Sequence, residues 1–104
     1  PDSDPFYGAP VVAVVLADKN IRTHTEDGSL VIGSLMLAAA SLGVSSCWIH
    51  RAKETFETPE GKALLKKWKL SEDLVGVGNC ILGHAAGPIP EARPRKKDYI
   101  KIIK

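Results

Sequence analysis

DGSLVIGSLMLAAASLGVSSCWIHR, residues 27–51, is the stretch that decides the fold. From Leu30 to Leu42 the residues are apolar or small on nearly every face of a helix, and a helix without a polar face is usually buried on all sides. The run is too short and too rich in Ser and Gly for a membrane span, which needs about 20 apolar residues. A chain of 104 residues has little material to surround such a helix, so we expect a second copy of the chain to cover it.

The ends of this helix carry recognisable signals. Asp27 is a predicted N-cap, because its carboxylate can accept the free N–H groups of the first turn. Gly43 suits the left-handed position just past a helix end. Residues 44–50 then change to a short strand that ends in a polar loop, and such a loop presents backbone groups where a ligand can be held.

Two further apolar runs predict strands on either side of the helix, at residues 10–17 and 74–83. The run at 10–17 is continuously apolar and rich in β-branched valine, which predicts a strand covered on both faces. A terminal strand is expected at Tyr99–Ile103, added to a sheet edge, in this chain or a partner. A second helix is predicted to open at Thr58, with Pro59 in its first position; it is amphipathic and peripheral, with an inward face of Ala63, Leu64 and Trp68.

The composition excludes some classes of function. A net charge of +2 is too small to imply a nucleic-acid partner, and no membrane span or signal peptide is visible. Basic residues gather near the end of the chain, which indicates either a local anion site or a solvated tail. The two cysteines, Cys47 and Cys80, both fall in apolar strand-like runs, where we expect them to be buried, and form no disulfide-dense pattern, which favours a reducing, cytoplasmic setting.

Three runs together carry a family resemblance: DGSLVIGSLMLAAASLGVSSCWIHRAKE, EGKALLKKW and VGVGNCILGH. In order and spacing they resemble the C-terminal half of the FMN-dependent nitroreductase family, over nearly the whole chain from PFYGAPVVAVVLAD to PRKKDYI. The resemblance implies an α+β fold with a mixed sheet, a buried central helix and an amphipathic peripheral helix. Residues 1–104 are expected to form the C-terminal part of a single nitroreductase-like domain, and so a partial fold.

The same resemblance implies an FMN-dependent NAD(P)H oxidoreductase that works as a homodimer. Hydride would pass through the flavin to nitroaromatics, quinones or free flavins, with the protein supplying orientation and electrostatics. Catalytic side chains are not needed for this chemistry, and none is assigned. The chain begins at Pro1 without an initiator Met and has no match to the family's Arg-rich N-terminal stretch, so we expect a truncated form in which the flavin site is about half built.

The loop Trp48–Arg51 is the first candidate cofactor site. By resemblance, Ile49 and His50 present main-chain groups to the flavin ring near its reactive nitrogen, with Trp48 and Arg51 on either side. Family members often carry an acid and a glycine where this chain has His50 and Arg51, so only the backbone role carries over. From the residues alone, the simpler interpretation is that Trp48 and Ile49 are core and His50 is solvated.

The basic cluster near Pro94 is the second candidate. Guanidinium groups suit bidentate recognition of phosphate, and by resemblance Arg93 and Arg95 hold the FMN phosphate. The alternative is a solvated basic tail.

Other patterns point to different classes of protein. The glycines Gly76, Gly78 and Gly83 do not open a helix, so they do not form a dinucleotide-binding loop. A small zinc-binding domain is a weak alternative, because two spaced Cys/His pairs lie in strand-like sequence rather than in knuckle turns. The two pairs would be Cys47 with His50 and Cys80 with His84. A non-enzymatic dimerisation or flavin-binding module is a stronger alternative than the zinc-binding domain.

Overall fold

The computed structural model of the protein describes residues 4–104. The described residues form three strands and three helices, in the order β-α-β-α-α-β, and the predicted α+β class is confirmed. The bounds of the three strands match three of the four predicted runs to within one residue, whereas the short helix α2 was not predicted. The elements are β1 (Val11–Asp18), α1 (His24–Ser41), β2 (Ser45–Ile49), α2 (Ala52–Glu57), α3 (Pro59–Lys67) and β3 (Leu74–Gly83).

The strands form one sheet in the order β1-β3-β2. Both outer strands pair antiparallel with β3, with Val14 and Ile49 opposite Asn79. The expectation of a mixed sheet is therefore wrong for residues 4–104. The crossover through α1 does bring β1 and β2 into the same direction, but β3 lies between them and runs the opposite way, so every neighbouring pair is antiparallel.

Strand β3 is the most buried element of the sheet, and β1 is an edge strand that is half-buried over most of its length. The prediction that β1 is covered on both faces is thus wrong. The register of β1 on β3 shifts between Val15 and Leu16, which leaves Val77 as the extra residue of a bulge. The bulge places Val77 against Gly28 of α1 and sets the direction in which the rest of β3 presents its side chains.

Helix α1 starts earlier than predicted, at His24, with Thr23 in the N-cap position. Asp27 therefore lies inside the first turn, and its carboxylate accepts a 3.0 Å hydrogen bond from the Thr23 hydroxyl instead of capping the helix. At the other end, Gly43 adopts φ +73° and its N–H donates to the Ala40 carbonyl at 3.1 Å. The predicted left-handed glycine stop is confirmed.

The prediction that α1 is buried on all sides does not hold within the chain itself. One face, with Gly28, Ile32 and Ala39, packs on the sheet. The opposite face leaves Leu30 at 72% and Leu37 at 76% exposed. The sheet covers only the face of α1 that packs on it, so the second apolar face of α1 has no cover from residues 4–104.

Helix α3 begins as predicted: Pro59 is its first residue, and the Thr58 hydroxyl accepts a 3.0 Å hydrogen bond from Gly61 N–H. Its buried positions are Gly61 and Leu65, so the predicted inward face is wrong by one residue. The shift follows from the close approach of α2, because a Cβ on Gly61 would meet the Thr55 carbonyl.

Residues 84–104 contain no helix or strand, so the predicted strand at Tyr99–Ile103 does not form in the sheet of this chain, and its pairing with a partner's sheet stays a prediction. Four apolar side chains in this stretch, Tyr99, Ile100, Ile102 and Ile103, are at least 77% exposed. Among residues 4–104, no helix has the length and apolarity to cross a membrane.

Candidate functional site

A cavity of about 520 Å³ lies beside the end of β2, on the sheet face opposite α1. Ile49, His50 and Arg51 form one wall, α2 forms another, and the segment before β1 forms a third. A volume of this size lies within the range of small-molecule and cofactor sites, about 300–1,000 Å³. The lining residues are Pro5, Phe6, Tyr7, Ile49, His50, Arg51, Glu54, Thr55, Thr58 and Asn79.

The wall before β1 is held by a local hydrogen-bond pattern. The carboxylate of Asp4 accepts from Phe6 N–H at 2.9 Å and from Gly8 N–H at 2.7 Å. This Asx-type turn is what Asp does well in loops. It places Phe6 and Tyr7 over the cavity, with Tyr7 at φ +52°.

Arg51 links the loop to α2 in a left-handed conformation, with φ +79° and ψ +7°. Its carbonyl accepts from the N–H of Thr55 at 2.9 Å and from the Thr55 hydroxyl at 2.8 Å. Such a backbone is unusual for a residue with a Cβ, and strained backbones concentrate at ligand sites. The conformation turns the chain sharply where β2 leads into α2, beside the cavity that Ile49, His50 and Arg51 line.

The charged side chains of the cavity are not paired with each other. The one ion pair among residues 4–104 joins Lys19 and Asp73 at 3.7 Å, at the far end of β3. Arg51 and Glu54 both line the cavity and are both exposed. Their charges therefore remain available to a ligand at the cavity mouth.

The structure places the four residues of the predicted loop in different environments. Trp48 and Ile49 are successive strand residues, so their side chains point to opposite faces of the sheet. Ile49, His50 and Arg51 line the cavity, whereas Trp48 lies on the α1 side, with its indole against Gly78. The Trp48 Nε1–H is buried and, within the described residues, has no hydrogen-bond partner.

Arg93 and Arg95 are exposed and lie in the irregular segment after β3. Neither is among the residues that line the cavity. The structure therefore does not bring the two predicted halves of the flavin site together.

Asn79 is the most buried of the cavity residues that were not predicted from the sequence. It is only 6% exposed, in the centre of β3. A signal was present in the sequence, since Asn79 is the one strongly polar side chain in the apolar run LVGVGNCILG. A polar residue inside a buried strand requires a partner.

The cysteines and histidines of the zinc alternative do not form a cluster. Among residues 4–104, no group of three or more His, Cys, Asp or Glu side chains lies close enough together to hold a metal ion. Cys47 is exposed, contrary to the sequence expectation, and Cys80 is buried. Burial raises the pKa of the Cys80 thiol above its ordinary value, so this thiol is a poor nucleophile at neutral pH.

The residues present suit one half of an FMN molecule. The cavity is large enough for a planar tricyclic ring, Ile49, His50 and Arg51 form one wall of it, and the buried residue Asn79 also lines it. The phosphate half is different, because the two candidate arginines lie outside the cavity. The described residues thus fit the ring of the cofactor and supply only exposed cations for its phosphate.

No protein-family model and no curated protein matches the chain. Solved structures do match it. A nitroreductase with bound FMN from Bacteroides fragilis NCTC 9343 superposes with a TM-score of 0.88 at 28% identity, over 100% of this chain and 57% of that one. A nitroreductase with bound FMN from Desulfitobacterium hafniense DCB-2 gives a TM-score of 0.80 at 26% identity, over 96% and 54%.

A third match, at 19% identity, shares the fold alone. It is an FMN-dependent nitroreductase from Clostridium difficile R20291, with a TM-score of 0.79 over 97% of this chain and 62% of that one. The chain therefore spans between about half and three fifths of the length of these proteins.

The sheet, its helices and the cavity beside β2 define a nitroreductase-like α+β fold. The chain is related to the nitroreductase family, and the resemblance stated from the sequence is confirmed at this level.

Proposed function

We propose that the protein is an FMN-dependent NAD(P)H oxidoreductase of the nitroreductase type, and that residues 1–104 form the C-terminal part of its single domain. The observation that carries the proposal is the cavity rimmed by Ile49–Arg51, in a fold shared with two FMN-bound nitroreductases at 28% and 26% identity.

In this proposal the chain binds and orients the cofactor. The main chain of Ile49 and His50 faces the ring, and the left-handed Arg51 fixes the direction of that main chain. Trp48 anchors the loop from the α1 side of the sheet. Arg93 and Arg95 bind the phosphate with charge-assisted hydrogen bonds, which requires the segment after β3 to fold back over the cavity.

When bound, FMN supplies the chemistry of hydride transfer between NAD(P)H and an acceptor, for which nitroaromatics, quinones or free flavins are the expected classes. The residues named here provide position and electrostatics, and no general acid or base is assigned.

A titration with FMN tests the proposal. We expect the protein that carries residues 1–104 to quench FMN fluorescence on binding and to stay yellow after gel filtration. Replacing Arg93 and Arg95 by Ala is expected to weaken FMN binding at least about tenfold, because each charge-assisted bond contributes about 1.5–3 kcal/mol. Lys101→Ala, which removes a cation from the same segment, is the matched control. A colourless protein that binds no added FMN would refute the proposal.

We also propose that the protein is a homodimer whose interface includes the exposed face of α1. Leu30, Val31 and Leu37 are 72%, 55% and 76% exposed, and Ser34, Ala38 and Ser41 complete the same helical stripe. Contiguous exposed apolar surface of this kind marks an interaction site. A cytoplasmic location belongs to the same proposal and is supported by the free thiols of Cys47 and Cys80.

A second candidate function is a non-enzymatic dimerisation or flavin-binding module. The position of Arg93 and Arg95 outside the cavity favours it, because a ring site without a phosphate site holds FMN weakly. Retention of the dimer without FMN uptake would select the dimerisation module, and FMN binding without oxidoreductase activity would select the flavin-binding module.

A further inference from the structure

The carboxamide of Asn79 is a buried polar group to which the proposed function assigns no role. The residue is 6% exposed and lines the cavity. Its backbone is paired on both sides, with Val14 and with Ile49, so only the side chain is free to vary its partner.

None of the side-chain hydrogen bonds formed among residues 4–104 includes Asn79. Among residues 4–104, the only fully enclosed side-chain nitrogen or oxygen without a hydrogen-bond partner is Trp48 Nε1. The amide atoms of Asn79, which have no such partner either, are therefore not fully enclosed. Because the Asn79 carboxamide is neither hydrogen-bonded nor fully enclosed, its polar atoms lie at the surface of the cavity that the residue lines. An unpaired buried amide destabilises the protein that contains it.

The neighbours of Asn79 on this face of the sheet are apolar. Ile49 lies opposite it on β2, and Ile81 follows two residues later on β3. A leucine of similar shape would pack among these side chains without the desolvation cost. The carboxamide therefore has no packing reason to be there, and its donor and acceptor remain for a ligand.

We propose that Asn79 is a binding residue for the polar edge of a planar heteroaromatic ring, one that presents a carbonyl acceptor beside a ring nitrogen. The carboxamide offers an N–H donor and a carbonyl acceptor in one plane, and the adjacent main chain of Ile49 and His50 holds the same ring. This inference rests on the proposed function, since the ring is the isoalloxazine ring of FMN. It assigns Asn79 to the ring and not to the ribityl phosphate.

The test compares FMN with lumiflavin, which has the ring but no phosphate. Each probe is titrated by flavin fluorescence against the wild-type protein and Asn79→Leu, and the unfolding midpoint in urea is measured without flavin. We expect Asn79→Leu to weaken both probes by a similar factor, about tenfold, and to unfold at the same or a higher urea concentration. Arg93→Ala is expected to weaken FMN and leave lumiflavin unchanged.

Two more variants complete the design. Asn20→Leu makes the same substitution at an exposed position that bonds to Asp73 outside the cavity, and it should leave both affinities unchanged. Asn79→Asp keeps the size of the side chain but removes its N–H donor, so it should also weaken both probes. It provides the measurement if the leucine variant does not fold.

Wild-type affinity for both probes in the Asn79 variants would overturn the inference and leave the proposed function standing. So would a loss confined to FMN, which would place Asn79 at the phosphate, or a lowered urea midpoint in Asn79→Leu with unchanged affinity, which would make the amide structural. A wild-type protein that binds neither probe would overturn the proposed function and this inference together.

Discussion

At the scale of single residues, the cavity rim depends on a backbone conformation that arginine adopts only at a cost. Arg51 has φ +79°, where the Cβ of any L-residue crowds the neighbouring carbonyl oxygen. Glycine at this position would need no such compensation. The strain is offset by the two bonds that the Arg51 carbonyl accepts from Thr55.

Replacing Arg51 by Gly should therefore raise the free energy of unfolding by about 0.5–1 kcal/mol, because relief of left-handed strain outweighs the added entropy of the unfolded chain. Urea denaturation measures the change. Lys53→Gly, two residues further on in α2, is the matched control. It should lower the free energy of unfolding by about 1 kcal/mol, because glycine is unfavourable in a helix. A loss of stability in Arg51→Gly similar to that control would contradict the argument.

Gly76 is needed for a different reason, namely the close approach of α2 to β3. A Cβ at this position would overlap the backbone carbonyl of Ala52, and backbone cannot move aside as a side chain can. We expect Gly76→Ala to destabilise the protein by more than about 2 kcal/mol, as overpacking in a rigid core does.

Gly33 supplies the control for this substitution. It lies in α1, and a Cβ there would meet nothing within 4 Å. Gly33→Ala should raise the thermal midpoint, since alanine favours a helix by about 1 kcal/mol over glycine. Similar midpoints for Gly33→Ala and Gly76→Ala would show that α2 does not pack this closely.

At the scale of elements, α3 depends on the cap at Thr58. The Thr58 hydroxyl accepts from Gly61 N–H at 3.0 Å and donates to the Thr55 carbonyl at 2.6 Å. One side chain thereby ends α2 and begins α3, and it also lines the cavity. The position of the short α2 thus depends on a hydroxyl between two helices more than on the helix propensity of its six residues.

Thr58→Ala should lower the free energy of unfolding by about 1–2 kcal/mol, since it removes an N-cap and a second hydrogen bond. Chemical denaturation followed by circular dichroism gives the value. Thr25→Ala is the control: its hydroxyl makes no hydrogen bond among residues 4–104, and alanine has the better helix propensity. Equal losses in the two variants would argue against the cap.

At the scale of the whole molecule, the isolated chain is less compact than its length allows. Its radius of gyration is 16.6 Å, against about 13 Å for a compact domain of this size. The excess comes with an uncovered face on α1 and with the exposed isoleucines of residues 100–103. Both are surfaces that water does not stabilise, and the proposed dimer would cover the face of α1.

Leu37→Glu should convert the proposed dimer to a monomer, because it places a charge in the middle of the exposed α1 face, where desolvation is costly. Light scattering after gel filtration measures the mass. Ala63→Glu adds the same charge to an exposed position of α3 and should leave the dimer intact. A wild-type protein that is monomeric at all concentrations would refute the dimer.

The local features of this protein follow from sequence alone. The strand at 74–83, the glycine at Gly43 and the cap at Thr58 each depend on residues within one turn or one strand, so short-range chemistry determines them. The family resemblance rests on the same kind of local pattern. These signals were sufficient for the α+β class and for the loop at Ile49–Arg51 as a candidate site.

Only the tertiary structure determined which segments that are distant in the sequence lie in contact. Contacts between distant segments determine the antiparallel order β1-β3-β2 and the single covered face of α1. They also separate Arg93 and Arg95 from the cavity and place Asn79 among the residues that line it. A helix with two apolar faces indicates how much surface must be buried, but not which face meets the sheet. In the structure the face of α1 that carries Gly28 meets the sheet, where Val77 of the β3 bulge lies against this glycine and leaves no room for a larger residue.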